Sequence, residues 1–244
     1  MAAVKGDPTR RSALLRSGFS RLKYQIQDWT SLLVAVTASA MVLWGLGPSE
    51  ILIDSTPTGG DMGAHVWGPA FLRDELLPSF QLRGWSPDWY AGFPAMHFCI
   101  VLSYLFIVFV DLFAPYGVAF KLVAVSGVVL MPMAAWLMGR ISRWREPLPA
   151  LLAVAALLFV FDFNFTIYGG NIASTLAGEF AFSIGLAVSL VYLGFTSRVL
   201  EAGTHKVRAS IALALVALCH PITLLFAVTA TVIQVVSWSI GRSV

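Results

Sequence analysis

The chain has 244 residues, 58% hydrophobic and 12% charged, with a formal net charge of +3 and a mean hydropathy of +0.79. That charged share is about half of what a soluble domain carries, so a water-facing globule is excluded and most of the length belongs in a lipid bilayer. The basic residues sit in short clusters between apolar runs, where they set membrane orientation, so the positive balance does not indicate nucleic-acid binding.

The N-terminal segment, residues 1–27, carries Lys5, Arg10, Arg11, Arg16, Arg21 and Lys23 ahead of an apolar run at 29–46. Ala38-Ser39-Ala40 has the small-residue character of a cleavage site but falls in the middle of that run, which reads better as an uncleaved signal-anchor helix with a cytoplasmic N-terminus. Further apolar runs lie at about 95–113, 118–139, 148–163, 180–195 and 210–240, the last interrupted by His220-Pro221. If every run crossed once, Arg140, Arg143 and Arg145 would fall outside, against the bias of Lys and Arg toward the cytoplasm. The 95–113 run, bracketed by Pro94, Asp111 and Pro115, is the one expected to lie in the outer interface instead.

The resulting path gives an all-α, polytopic transmembrane bundle of about six spans within residues 28–244, with a large first outer loop at about 47–116. It puts 13 of the 16 Lys and Arg residues inside and leaves Arg73, Arg83 and Lys121 outside. The helix before His220 is about a dozen residues, too short for a free span, and has to be buried among neighbours. Cys99 and Cys219 lie in separate apolar stretches with no partner spacing and read as packing residues.

The outer loop holds most of the polar chemistry. Gly59-Gly60 turns the chain, and Asp61 is placed to cap a helix over about 62–77, bent or broken at Pro69. Asp61 and His65 then share one face, with apolar positions such as Met62, Val66 and Ala70 laying the helix along the membrane surface. The competing reading is that Asp61 is only a cap and His65 only its neighbour's partner. Arg73 suits a phosphate, and equally a solvated Arg73-Asp74-Glu75 ion cluster. Trp85, Trp89, Tyr90 and Phe93 fit an aromatic belt, with sugar stacking on Trp89 as the alternative.

Glu179 and His220 reach the same outer side on this path, although Glu179 also suits a helix N-terminus as a simple charge–dipole match. Asp162 and Lys121 read as interface residues, and Asn164-Phe165-Thr166 as a chance glycosylation pattern against a span.

A basic cytoplasmic N-terminus, one span and a long outer loop opening on Gly59-Gly60-Asp61-Met62-Gly63-Ala64-His65 resemble the GT-C superfamily of membrane glycosyltransferases. In that resemblance 95–113 matches an interfacial juxtamembrane helix, Ser174 to Phe180 a second outer acidic site, and Cys219-His220-Pro221 a polar turn between spans. Within this class the chain most resembles the bacterial membrane family labelled 6-pyruvoyl-tetrahydropterin synthase-related. That label does not describe the chemistry, because the soluble pterin synthase is a zinc enzyme with a histidine triad. His65, His97, His205 and His220 are instead scattered over both faces of the membrane on the expected path.

The first-loop motif departs from the superfamily in having one acid followed by His65 rather than paired acids. The chain also has fewer spans than is usual there, and we expect it to be the N-terminal part of a larger protein.

The resemblance implies transfer of a sugar from a polyprenyl-phosphate donor, bound from the membrane lipid, to an acceptor on the extracytoplasmic face of the cell membrane. Asp61 would be the general base. Glu179, His65 and His220 would orient the acceptor, bind the leaving phosphate, or ligate a divalent cation such as Mg²⁺ or Mn²⁺ together with Asp61. Rival readings of the same residues are a transporter or lipid-handling permease whose polar groups line a passage, and a non-catalytic membrane subunit or remnant.

Overall fold

A computed structural model describes residues 8–97 and 101–243. Lys5 and Cys99 lie outside them, as do the side chains of residues 8–26 and 242–243. Within the described residues, ten α-helices and one small hairpin follow in order. They are α1 (Pro8–Gly45), α2 (Pro48–Leu52), α3 (Met62–Phe71), β1 (Gly84–Ser86), β2 (Phe93–Ala95), α4 (Val101–Asp111), α5 (Tyr116–Ile141), α6 (Leu148–Val160), α7 (Ile172–Ala177), α8 (Phe180–Ala202), α9 (Lys206–Cys219) and α10 (Pro221–Ser243).

Four helices are long and apolar enough to cross a membrane: Gln27–Gly45 within α1, α5, α8, and Pro221–Gly241 within α10. The expected count of six is therefore not met by length. α6 has 13 residues and α9 has 14, about 20 Å each at 1.5 Å per residue against a hydrocarbon core of about 30 Å. Both stop for local reasons. After Val160 the chain turns, with the Asp162 carboxylate accepting the Asn164 N–H at 3.0 Å, and α9 ends at an extended His220 just before Pro221, which has no N–H to continue the helix.

α5 is the hub of the bundle, packed on α1, α4, α6 and α8, while α8 carries α9 and α10. The α5–α8 contact is close because Gly127 has no side chain: a Cβ there would stand 2.4 Å from the Ile184 nitrogen. Val128 and Met131 of α5, Val42 of α1, Val160 of α6 and Ala187 of α8 fill the bundle's middle. α10 leaves Leu225, Ile233 and Ile240 bare, as a lipid-facing helix does.

The bundle has two chemically distinct ends. At one, the C-terminal ends of α5 and α8 hold paired charges: Arg140 bonds Asp28 at 2.6 Å and Glu146 at 3.1 Å, and Arg198 bonds Glu201 at 2.5 Å. At the other, the long connection between α1 and α5 is fastened by reciprocal capping. The Asp54 carboxylate accepts the Gly117 N–H in the first turn of α5 at 3.2 Å, and Lys121 Nζ donates to the Glu50 and Ile53 carbonyls around the end of α2, both at 2.6 Å.

Within that connection α3 begins at Met62 as expected, but the Asp61 side chain makes no capping bond. The helix is not broken at Pro69. It continues to Phe71, widens into a π turn at Leu72–Leu76 and tightens into a 3₁₀ turn at Leu77–Ser79. The widening spreads over the residues just beyond the missing Pro69 N–H and keeps Leu72 and Leu76 buried.

Its buried face does not simply lie along a surface. Met62, Phe71 and Leu72 pack with Tyr104 and Ile107 of α4 and Phe120 of α5. Among the described residues the 95–113 run is helical over Val101–Asp111 and not at its start. Ala95 is the last residue of a hairpin registered Gly84↔Ala95 and Ser86↔Phe93, and α4 is 11 residues long.

Candidate functional site

The first loop and the segment before α8 meet through main chain. The Asp61 N–H donates to the Ala177 carbonyl at 2.8 Å. Gly60 permits the approach: its φ is +49°, and a Cβ there would sit 2.2 Å from the same Ala177 oxygen. α7 is started by Asn171, whose side-chain Oδ1 accepts the Ser174 N–H at 2.7 Å, and stopped by Gly178 at φ +128°. A Cβ on Gly178 would lie 2.9 Å from Asp61 Cβ and 3.3 Å from His65 Cδ2, so both side chains pack over this glycine, with Glu179 next in the chain.

His65 follows Asp61 by one helical turn, its N–H donating to the Asp61 carbonyl at 3.1 Å. Its Nδ1 lies 2.8 Å from the Tyr104 hydroxyl on α4, and its ring stands edge-on to Phe180, centroids 5.2 Å apart. His220 comes from the α9–α10 turn. Its Nδ1 accepts the Ile222 N–H at 3.2 Å, which in the neutral ring leaves the proton on Nε2, and that nitrogen faces Glu179 Oε2 at 3.9 Å.

The electrostatics of these groups are set mainly by burial. Burial raises the Glu179 pKa above the ordinary carboxyl value, and the nearby Asp61 charge pushes it further the same way. Burial also lowers both histidines. For His65 the Asp61 charge partly opposes this, and the His220 charge adds to it. Neutral imidazoles and a carboxyl that holds its proton more tightly than usual are thus the favoured forms. At 3.9 Å the Glu179–His220 contact is longer than a hydrogen bond. Among the described residues no three His, Cys, Asp or Glu side chains form a group that could hold a metal ion.

Two other residues singled out above stand apart from this cluster. Arg73 bonds Asp74 at 2.7 Å and Asp111 of α4 at 2.6 Å, with its guanidinium 5.4 Å from the Tyr116 ring centre. The hydrogen bonds to Asp74 and Asp111 hold it protonated, and it in turn holds Asp74 below the usual carboxylate range. Trp89 belongs to an aromatic group, stacked on Phe93 with centroids 5.7 Å apart and tilted against Trp67, whose indole N–H donates to Asp88 at 2.7 Å.

The family model of the 6-pyruvoyl-tetrahydropterin synthase-related domain, described as a membrane protein, matches residues 97–243. The chain belongs to this family. No curated protein and no solved structure matches it. The region matched to this synthase-related membrane family runs from α4 to α10 and so contains Tyr104, Glu179 and His220, while Asp61 and His65 are brought to them from the preceding connection.

Sequence reasoning missed Tyr104 and Gly178. Tyr104 carried a signal, since it lies seven residues before Asp111 and so on the same helical face of an otherwise apolar run; the two contact His65 and Arg73 respectively.

Proposed function

We propose that this integral membrane protein is a GT-C-like glycosyltransferase, moving a sugar from a polyprenyl-phosphate donor to a hydroxyl acceptor on the extracytoplasmic face. The observation that carries the reading is the gathering of Asp61, His65, Glu179 and His220 from three separated segments at one end of the bundle, with the protonation of His65, Glu179 and His220 shifted mainly by burial. Groups perturbed in this way, at the end opposite the paired arginines, are what a reaction site at a membrane surface requires.

The six-span path belongs to the same reading. α1, α5, α6, α8, α9 and α10 lead alternately between the two ends, with α6 burying one face through Ala153, Ala156 and Val160 and α9 one face through Ala209, Ala212 and Val216, while α4 stays with the connection. The basic end faces the cytoplasm.

Asp61, exposed and not engaged as a cap, takes the proton from the acceptor hydroxyl. The acceptor oxygen then bonds to the anomeric carbon as the carbon–oxygen bond to the donor phosphate breaks on the opposite face. The phosphate leaves with that electron pair, and the anomeric centre is inverted. The Nε2–H of His220, beside Glu179, donates toward the leaving phosphate, and His65, held by Tyr104, orients the acceptor. Arg73 and Trp89 have no step here.

The test is transfer of radiolabelled sugar from polyprenyl phosphate by the full chain in proteoliposomes. Asp61→Asn lowers transfer by about 100-fold or more while the unfolding temperature stays unchanged. Undiminished transfer by that variant removes Asp61 from the role, and inactivity of the unmodified protein with every polyprenyl-phosphate sugar sinks the reading.

A further inference from the structure

A cavity of about 980 Å³ opens between the β1–β2 hairpin and the last turn of α9. One wall is apolar, made by Leu82, Met96, Ala217 and Leu218, and the rim carries Arg83 and His97; no carboxylate lines it. Ala217 and Leu218 are exposed and stand just before His220, so this wall lies at the end of a membrane helix. The His97 ring is fixed by Nδ1–H donation to the Ala95 carbonyl at 3.1 Å. On the hairpin, Trp85 packs flat against the turn, its Nε1 only 2.3 Å from where a Gly92 Cβ would be. Among the described residues Arg83 has no carboxylate partner, in contrast to Arg73, Arg140 and Arg198.

We infer that this cavity binds an anionic phospholipid of the bilayer, its phosphate on Arg83 and the start of its acyl chains on the Ala217–Leu218 wall. Each half of the lining excludes a simpler occupant. Water or free phosphate would leave the apolar wall wet, and a zwitterionic lipid would leave the guanidinium without net compensation. An amphiphile with one net negative charge satisfies both, and the volume is at the upper end of the range of about 300–1,000 Å³ for small-molecule sites. An unpaired guanidinium beside a membrane surface is a natural phosphate ligand. None of Asp61, His65, Glu179 or His220 lines the cavity, so the inference stands or falls apart from the transferase reading.

Native mass spectrometry of the full chain, released from micelles holding equal amounts of phosphatidylglycerol and phosphatidylcholine, reads this without any turnover. Phosphatidylglycerol adducts should exceed phosphatidylcholine adducts by about fivefold, the ratio that about 1 kcal/mol per interfacial cation gives. Arg83→Gln should bring the ratio near one, and Arg83→Lys should keep most of it. Ala217→Phe, which fills the wall and leaves the charge in place, should also lose the preference. Both sites are exposed, and matched unfolding temperatures confirm folded variants. A ratio near one in the unmodified protein, or a preference surviving in either Arg83→Gln or Ala217→Phe, overturns the inference. So does complete displacement of the lipid by excess inorganic phosphate, which would mark a free-anion site.

Discussion

Arg73 and Asp61 belong to the same connection between α1 and α5, yet their charges are handled in opposite ways. Arg73 is compensated on two sides by Asp74 and Asp111 and lies over an aromatic ring, an arrangement that ties the π turn after α3 to the end of α4. Asp61 is brought instead to a partly buried carboxyl and two partly buried imidazoles, none of which neutralises it by an ion pair of hydrogen-bond length. Compensated charge holds a fold together, whereas gathered and shifted charge works against stability and is retained where chemistry uses it. The contrast separates residues that look alike in sequence, both being charged groups in a polar loop.

The harshest test of that contrast is Gly60→Val. A β-branched residue at φ +49° with its Cβ 2.2 Å from the Ala177 oxygen cannot keep the Asp61–Ala177 contact, and the backbone strain alone is about 1–2 kcal/mol. Transfer should fall by more than about 100-fold, as for loss of a general base. Near-normal transfer in this variant would mean that the meeting of the two segments is not needed.

Next is Arg73→Ala, which should lower the unfolding free energy by about 1 kcal/mol, a hydrogen-bonded charge contact discounted for its exposure, and reduce transfer by no more than about threefold. A loss of transfer as deep as that of Asp61→Asn would erase the distinction between the two regions.

The smallest effect is in the pH dependence of stability. His65 and His220 have folded pKa values below their ordinary 6.5, so the stability they allow is fully present above that value and is lost as pH falls through the lowered ones. Glu179 runs the other way: raised above 4.5, its contribution is present below that value and is lost as pH rises through the folded one. Unfolding temperatures measured between about pH 7.5 and about pH 5.5 should therefore fall less steeply for His65→Gln/His220→Gln than for the unmodified chain, and Arg73→Ala should leave the slope alone. Equal slopes in all three would assign the histidines no share in it.

The long helices were legible from their apolar runs: α5 lies within two residues of the run at 118–139 at each end, and α8 starts with the run at 180–195 and continues seven residues beyond it. The failure came where a polar residue ended a helix inside an apolar stretch, as at Asp162, so the run at 148–163 became a helix of 13 residues, whereas the break at His220-Pro221 and the short helix before it, 14 residues long, were legible. The hairpin was illegible because its strands are three residues long and include Pro94.

At the cluster, the nearness of Glu179 to His220 followed from charge sidedness along the path. The missing Asp61 cap did not, since that geometry is set by the carbonyl of Ala177, more than a hundred positions away in sequence. Tyr104 was hidden because a hydroxyl in an apolar run looks like packing until its partner is known.

The exchange of caps between Asp54 and Lys121 has a consequence for how this end of the protein forms. α2 is closed by an ammonium that belongs to α5, and α5 is opened by a carboxylate that belongs to the segment after α2, so neither terminus is satisfied until the other is in place. The two therefore assemble and open as one cooperative unit, with shared hydrogen-exchange protection.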